Sequence, residues 1–217
     1  MADGFTLHGS PHSLPTYKVA LMLRLSGMGF SFRYISFRRG MHLTQEFRGL
    51  SRWGQVPVLE HDGQALLQSA AILEYLSETL GRFLGADANA RQQVREWLFW
   101  DADRLTPPLY GWYGVELGRR KLLPLSFDPV VIAEFDRKGA AALDVLDRHL
   151  SGREFLVGEV ATIADICCYG DIAFAKLSDK SLAAWPNVLG WAARFEALPG
   201  FAAPFDLLAM QDAEIAP

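Results

Sequence analysis

Apolar positions follow two different periods over the first eighty residues and only one afterwards. Phe5 and Leu7 mark a short strand over residues 5–8, ended by Gly9-Ser10-Pro11. Val19, Ala20, Met22, Leu23 and Leu25 then follow helical spacing over residues 15–25. Pro15 suits the first turn of that helix, where a missing N–H has no intrahelical partner to lose. Gly27 and Gly29 stop it, and the aromatic and β-branched run 31–37 predicts a second strand, parallel to the first. A basic stretch without periodicity covers residues 38–52. Two short apolar runs, Val58-Leu59 and Leu66-Leu67, flank Asp62-Gly63, a strong signal for a hairpin. Ser69 is expected to cap a helix through Ala71, Ile72, Tyr75 and Leu76 that ends near Gly81.

Past Gly81 the alternation of strands disappears. Residues 81–88 read as a linker, and helical periodicity alone follows over residues 89–113, 128–150, 162–177 and 186–198. Pro107-Pro108 is expected to kink or break the first of these helices. The fold class is therefore α+β: a βαβ-ββα domain over residues 1–80 and an all-helical domain over residues 89–217.

Composition narrows the function. Of the 217 residues, half are hydrophobic and 12% aromatic, enough for a packed core and against disorder. The net charge of −4 is spread so that neither domain carries a basic footprint for nucleic acid. Every apolar run is interrupted by a charge before it could span a membrane. The N-terminal residues lack the basic and apolar regions of a signal peptide, and the only two cysteines, Cys167 and Cys168, are adjacent. These features lead us to expect a cytoplasmic protein without a disulfide framework, a membrane partner or a nucleic-acid partner.

The most informative segments are Trp53-Gly54-Gln55-Val56-Pro57-Val58-Leu59, the Asp62-Gly63 hairpin, and Gln68-Ser69 opening the helix that follows. Together with the helical second domain, they resemble the cytosolic glutathione S-transferases, serine-type and bacterial or plant-like. The resemblance covers nearly the whole chain and implies a thioredoxin-like first domain that binds glutathione. It further implies that Val56, ahead of a cis Pro57, pairs through its backbone with the cysteine of glutathione like an added strand. Sequence alone does not reveal the isomer of the Val56–Pro57 bond. Ser69, with Gln68 beside it, would hold the γ-glutamyl end at a helix N-terminus, whose free N–H groups attract a carboxylate. His42 stands thirteen residues before Gln55, the spacing of a glutathione-binding His and Gln in plant-type members, so this pair would reach the glycine end. Leu43 departs from the basic residue expected next.

By the same resemblance the catalytic residue is Ser13, in the loop between the first strand and the first helix, with Ser10 as competitor. A hydroxyl there can donate to the glutathione sulfur and favour thiolate over thiol, helped by the helix field. Lowering a thiol pKa of roughly 8.5 by about two units needs about 2.7 kcal/mol. One charge-assisted hydrogen bond, worth about 1.5–3 kcal/mol, supplies much of it. Leu14 and Pro15 stand where some relatives carry an amide helper, and no cysteine in the loop supports a mixed-disulfide route.

Leu14, Tyr110, Trp112 and Tyr113 are candidates for the pocket of a second, apolar electrophile, whereas Trp97, Phe99 and Trp100 read as core. Trp53, an aromatic in a polar loop, suggests a homodimer, because transferase dimers insert an aromatic at this point into the partner. Thr162-Ile163-Ala164-Asp165 resembles the family's capping box, with a folding role. Cys167 and Cys168 read as core. His8 and His12, with no acid or cysteine near them in sequence, do not suggest a metal site. The expected activity is conjugation of glutathione, a co-substrate rather than a cofactor, to a small electrophile. A glutathione-dependent isomerase, dehalogenase or peroxidase, or a non-catalytic binding module of the same fold, are the alternatives.

Overall fold

Strand β1 (Phe5–Gly9) and helix α1 (Leu14–Leu25) lead into β2 (Phe30–Tyr34), which pairs with β1 in parallel because the helix returns the chain to the end of the sheet where β1 began. The computed structural model describes residues 4–211. After β2 the chain turns aside at Ile35, whose N–H donates to the Gly9 carbonyl at 2.7 Å. The second strand thus ends three residues earlier than expected.

The stretch expected to be irregular contains a 3₁₀ turn, Met41–Leu43, and a short helix α2 (Gln45–Leu50). Thr44 caps α2 by accepting the Phe47 N–H at 3.2 Å. Phe47 joins Ile35 and Val58 in a small apolar cluster, with Met41, Leu50, Val56 and Leu67 packed around it. Six residues cannot sustain a helix in isolation, so it is this tertiary packing that holds α2.

Strands β3 (Val58–His61) and β4 (Gln64–Leu67) form the expected hairpin. Asp62 and Gly63 both have positive φ, 48° and 74°, the backbone a tight two-residue connection demands. The four strands order as β2-β1-β3-β4, with β3 antiparallel to both its neighbours. His8 opposes Val58 in this register, and its side chain pairs with Glu60 one step along the ladder. The acid absent from its sequence neighbourhood is supplied across the sheet. Helix α3 (Ser69–Leu80) closes the βαβ-ββα order, ending on Gly81 at φ 62°.

The helical unit, Arg82–Leu198, is a bundle. It begins with α4 (Ala88–Trp100), capped by Asp87, whose carboxylate accepts the Ala90 N–H at 2.8 Å. A π-helical turn, Asp101–Leu105, passes directly into α5 (Thr106–Arg119). Pro107 and Pro108 therefore sit in the first turn of α5, where prolines are tolerated, and the irregularity lies just ahead of them. Next come α6 (Pro129–Leu150), α7 (Ile163–Ala175) and α8 (Pro186–Glu196). Every residue of α7 is buried, Cys167 and Cys168 included, and both thiols are free of disulfides.

The expected boundary carried the helical domain to the chain end, but residues 199–211 group with residues 4–81 instead. They include a one-turn helix, α9 (Pro204–Leu207), lying against α1. No helix of the described residues is long and apolar enough to cross a membrane.

Candidate functional site

Ser13 is the N-cap of α1, with extended backbone and its Oγ accepting the Thr16 N–H at 3.2 Å. A hydroxyl that accepts in this way still owns a proton to donate. Its main chain is fixed as well: the Ser13 N–H donates to the Ser10 carbonyl at 2.9 Å and its carbonyl accepts from Tyr17 at 3.0 Å. Ser10, His12 and Ser13 are all buried, an unusual concentration of polar groups for one loop. Ser10 contributes a carbonyl to the turn that shapes the Ser13 cap.

The Val56–Pro57 peptide bond is cis. Neither the N–H nor the C=O of Val56 has a hydrogen-bond partner among the described residues, since β3 begins only at Val58. A half-buried backbone pair of this kind is open to an extended peptide. The loop before it is closed by Ser51, which sequence reasoning missed. The Ser51 hydroxyl donates to the Gln55 carbonyl at 2.9 Å and accepts the Gln55 N–H at 3.1 Å.

Gln55 is exposed and accepts a hydrogen bond from the Gln68 amide at 3.3 Å, so two residues thirteen apart meet. Gln68, not Ser69, is the N-cap of α3, a correction to the expected start. Its backbone lies at φ 67°, ψ 114°, and its side chain makes no capping bond. The first-turn N–H groups of α3 consequently have no side-chain cap, and Ser69 occupies the first helical position with a half-buried side chain.

His42 lies in the 3₁₀ turn Met41–Leu43, half-buried, its ring edge-on to Phe37 at 5.2 Å. Its Nδ1 is buried without a hydrogen-bond partner among the described residues. Gly54, at φ 62°, brings the Gln55 loop beside this turn: a Cβ there would stand 3.0 Å from the His42 carbonyl. Leu43, the departure from the plant-type pattern, is exposed. Trp53 is 49% exposed, and the Arg52 guanidinium lies 4.2 Å above its ring.

The expected second-pocket residues fall in both units. Leu14 is fully buried in the core of the first. In the helical unit Tyr110 is half-buried and stacks on Tyr113 at 6.2 Å, and Tyr113 meets Phe174 edge-on at 4.9 Å. Burial pushes the Tyr113 hydroxyl well above the usual phenol range, with Tyr110 adding to the effect, so it stays protonated. Trp112 packs against Gly139 of α6, where a Cβ would come within 2.4 Å of the indole. Its ring is helix–helix packing. Among the residues read as core, Phe99 is in fact exposed, while Trp97 and Trp100 flank an open cleft with Val145 and His149. No group of three or more His, Cys, Asp or Glu that could hold a metal exists among the described residues.

A thioredoxin-like sheet, a cis-proline ahead of its third strand, a serine-capped first helix and an appended helical bundle together define a glutathione transferase fold. Comparison with known proteins agrees: residues 12–79 match the family model "Glutathione S-transferase, N-terminal domain" and residues 129–194 match "Glutathione S-transferase, C-terminal domain". The chain belongs to the glutathione S-transferase family. It is 30% identical to mouse glutathione S-transferase theta-2 over 205 residues, covering 91% of this chain and 82% of that one. It is 33% identical to a glutathione S-transferase of Xanthobacter autotrophicus whose crystal structure superposes with a TM-score of 0.84, over 94% of this chain and 98% of that one. A family member from Pseudomonas fluorescens, solved with two glutathione molecules bound, is 26% identical with a TM-score of 0.80, over 95% and 94% of the two chains.

Proposed function

We propose that the protein is a serine-type glutathione transferase, in which the Ser13 hydroxyl donates a hydrogen bond to the sulfur of glutathione and stabilises it as thiolate. The observation that carries this reading is the state of Ser13. Its oxygen is already engaged by the Thr16 N–H, which fixes the rotamer and leaves the proton for an incoming acceptor at the positive end of α1. Ser10 serves the turn through its carbonyl.

The remainder of the tripeptide follows from what is left unpaired. Its cysteine backbone pairs with Val56 before Pro57, its γ-glutamyl carboxylate takes the uncapped N-terminus of α3 at Ser69 with Gln68 alongside, and its glycine end lies toward Gln55 and His42. The Pseudomonas fluorescens relative with bound glutathione supports glutathione as the ligand. The thiolate then attacks an electrophilic carbon of a small apolar molecule, forming a C–S bond as a leaving group departs with its electron pair or as a double bond takes up a proton.

The protein acts as a homodimer in the cytoplasm, with Trp53 anchoring one subunit to the other. The open cleft lined by Gln93, Glu96, Trp97, Trp100, Val145 and His149, about 580 Å³, is large enough to accept an indole beside its two tryptophans.

The test is ultraviolet titration of glutathione bound to the protein. A thiol pKa lowered by about two units from its ordinary value of roughly 8.5 supports the assignment. A bound thiol that titrates as it does in water, or the absence of binding by calorimetry, sinks it. Product analysis with an activated aryl halide separates conjugation from isomerisation, which returns glutathione unchanged, and from peroxidase chemistry, which yields its disulfide.

A further inference from the structure

The described end of the chain runs the length of the helix that presents Ser13. Gly200, at φ 87°, lets the backbone pass so close to the end of α1 that a Cβ would stand 3.2 Å from the Arg24 carbonyl. In the first turn of α1, the hydroxyl of the fully buried Tyr17 donates to the Ala202 carbonyl at 2.9 Å. In the loop ahead of α1, the ring of His12, buried and adjacent to Ser13, meets the Phe205 ring edge-on at 5.4 Å. Pro204 and Leu208 are buried on either side of that contact.

Two of these contacts fall on α1 and the third on the loop ahead of it, and they differ in kind: a close backbone passage, a hydrogen bond and a ring contact. Tyr17 is one turn after Ser13 and its N–H donates to the Ser13 carbonyl, so whatever anchors Tyr17 also anchors the cap. His12 precedes Ser13 directly in the chain.

We infer that residues 199–211 form a strap that positions Ser13, acting through Tyr17 at Ala202 and through His12 at Phe205. The inference rests on the thiolate-stabilising reading of Ser13 and extends it. A hydrogen bond to sulfur weakens steeply with misalignment, so a cap that drifts would hold the thiolate less well without ceasing to be a cap. Tyr17 and Phe205 are on this account positioning residues that touch no substrate.

The experiment uses the full chain carrying Tyr17→Phe, Phe205→Ala or Phe205→Tyr. Amide exchange at Thr16 and Tyr17 is expected to quicken about tenfold in the first two variants, as local opening of the α1 start becomes easier, while amides of β1 and β3 keep their rates. The bound thiol pKa is expected to rise by about half a unit, lowering kcat/KM about threefold below that pKa, with KM for glutathione within about twofold of the parent. Phe205→Tyr, which keeps the ring, should restore both measurements. Should Phe205→Ala fail to fold, Tyr17→Phe, which removes a single oxygen, carries both. Unchanged exchange at Thr16 and Tyr17 overturns the strap, and so does faster exchange with an unmoved thiol pKa. If the parent itself leaves the thiol pKa unaltered, the transferase reading fails instead, and amide exchange alone decides whether the strap exists.

Discussion

Gln68 reaches Gln55 through a side-chain amide bond of 3.3 Å while its own backbone sits at φ 67°. A non-glycine residue in that region costs about 1–3 kcal/mol and persists where the surroundings impose it. Here the position is the N-cap of the helix proposed to meet the γ-glutamyl carboxylate. Two substitutions separate backbone from side chain. Gln68→Ala keeps the strain and removes the amide; Gln68→Gly removes both. Both should weaken glutathione binding, by about threefold to tenfold for the loss of a single neutral hydrogen bond. The glycine variant should nonetheless be about 1 kcal/mol more stable than the alanine variant, read from urea midpoints. Equal midpoints would mean the backbone there is unstrained.

Ser13→Ala removes a cap and a donor together. The cap is worth about 1 kcal/mol of stability, and the donor about 1.5–3 kcal/mol toward a sulfur anion. The bound thiol pKa should rise by about one to two units. Because the thiolate fraction grows with pH, the loss in kcat/KM, about tenfold to a hundredfold, is fully present below the parent's thiol pKa and fades as pH climbs through the raised value. Ser13→Thr, which keeps the hydroxyl and a serviceable cap, should recover most of the rate, and Ser10→Ala should stay within about threefold of the parent. A larger loss for Ser10→Ala than for Ser13→Ala would reverse the assignment.

How much of this was legible in the sequence depends on how local each cause is. Asp62-Gly63 specified the hairpin because both turn residues need positive φ. Ser13 could be named as the loop serine, and its cap geometry follows from Pro15 one residue inside the helix start. What stayed hidden has non-local causes. Helix α2 is held by Ile35 and Val58, which are distant in sequence, so the stretch looked irregular. His8 and Glu60 are fifty-two residues apart and meet only through the β1–β3 register. Ser51 reads as any loop serine until the Gln55 backbone is seen to return to it. The path of residues 199–211 is set by Tyr17 and His12, and no periodicity in those residues could have revealed it.

Asp165 gathers more than the reciprocal cap expected of it. Its carboxylate accepts the N–H groups of Thr162 and Leu156 at 2.8 Å each, the Thr162 hydroxyl at 3.1 Å and the Trp191 indole N–H at 3.0 Å. One buried side chain thereby ties the segment before α7 to α8. Thr162→Ala loses one donor to Asp165 and the acceptor for the Ala164 N–H, and should cost about 1–2 kcal/mol. Asp165→Ala strands four buried donors and should cost at least about 3 kcal/mol. Both residues belong to the helical unit, whereas the residues proposed to hold glutathione belong to the other. Refolded Thr162→Ala should bind glutathione with parental affinity while its yield and urea midpoint fall. A parental midpoint for Asp165→Ala would remove this node from the account of the helical unit.

Trp53 stands half exposed, with the Arg52 guanidinium over its indole ring. An aromatic of that size on a polar loop is an unfavourable surface unless something buries it, and interface anchors of this kind carry about 2 kcal/mol or more each. If a second copy receives Trp53 in the cleft of Trp97, Trp100, Val145 and His149, then substitutions on the two surfaces should be equivalent, although they lie in different units. Trp53→Ala and Val145→Glu should each weaken self-association by about thirtyfold or more, measured by sedimentation equilibrium across a dilution series. Combining them should add little, since each already abolishes the same contact. Additive losses would place Trp53 and the cleft in separate contacts, and a Trp53→Ala protein that stays as dimeric as the parent would remove the anchor altogether.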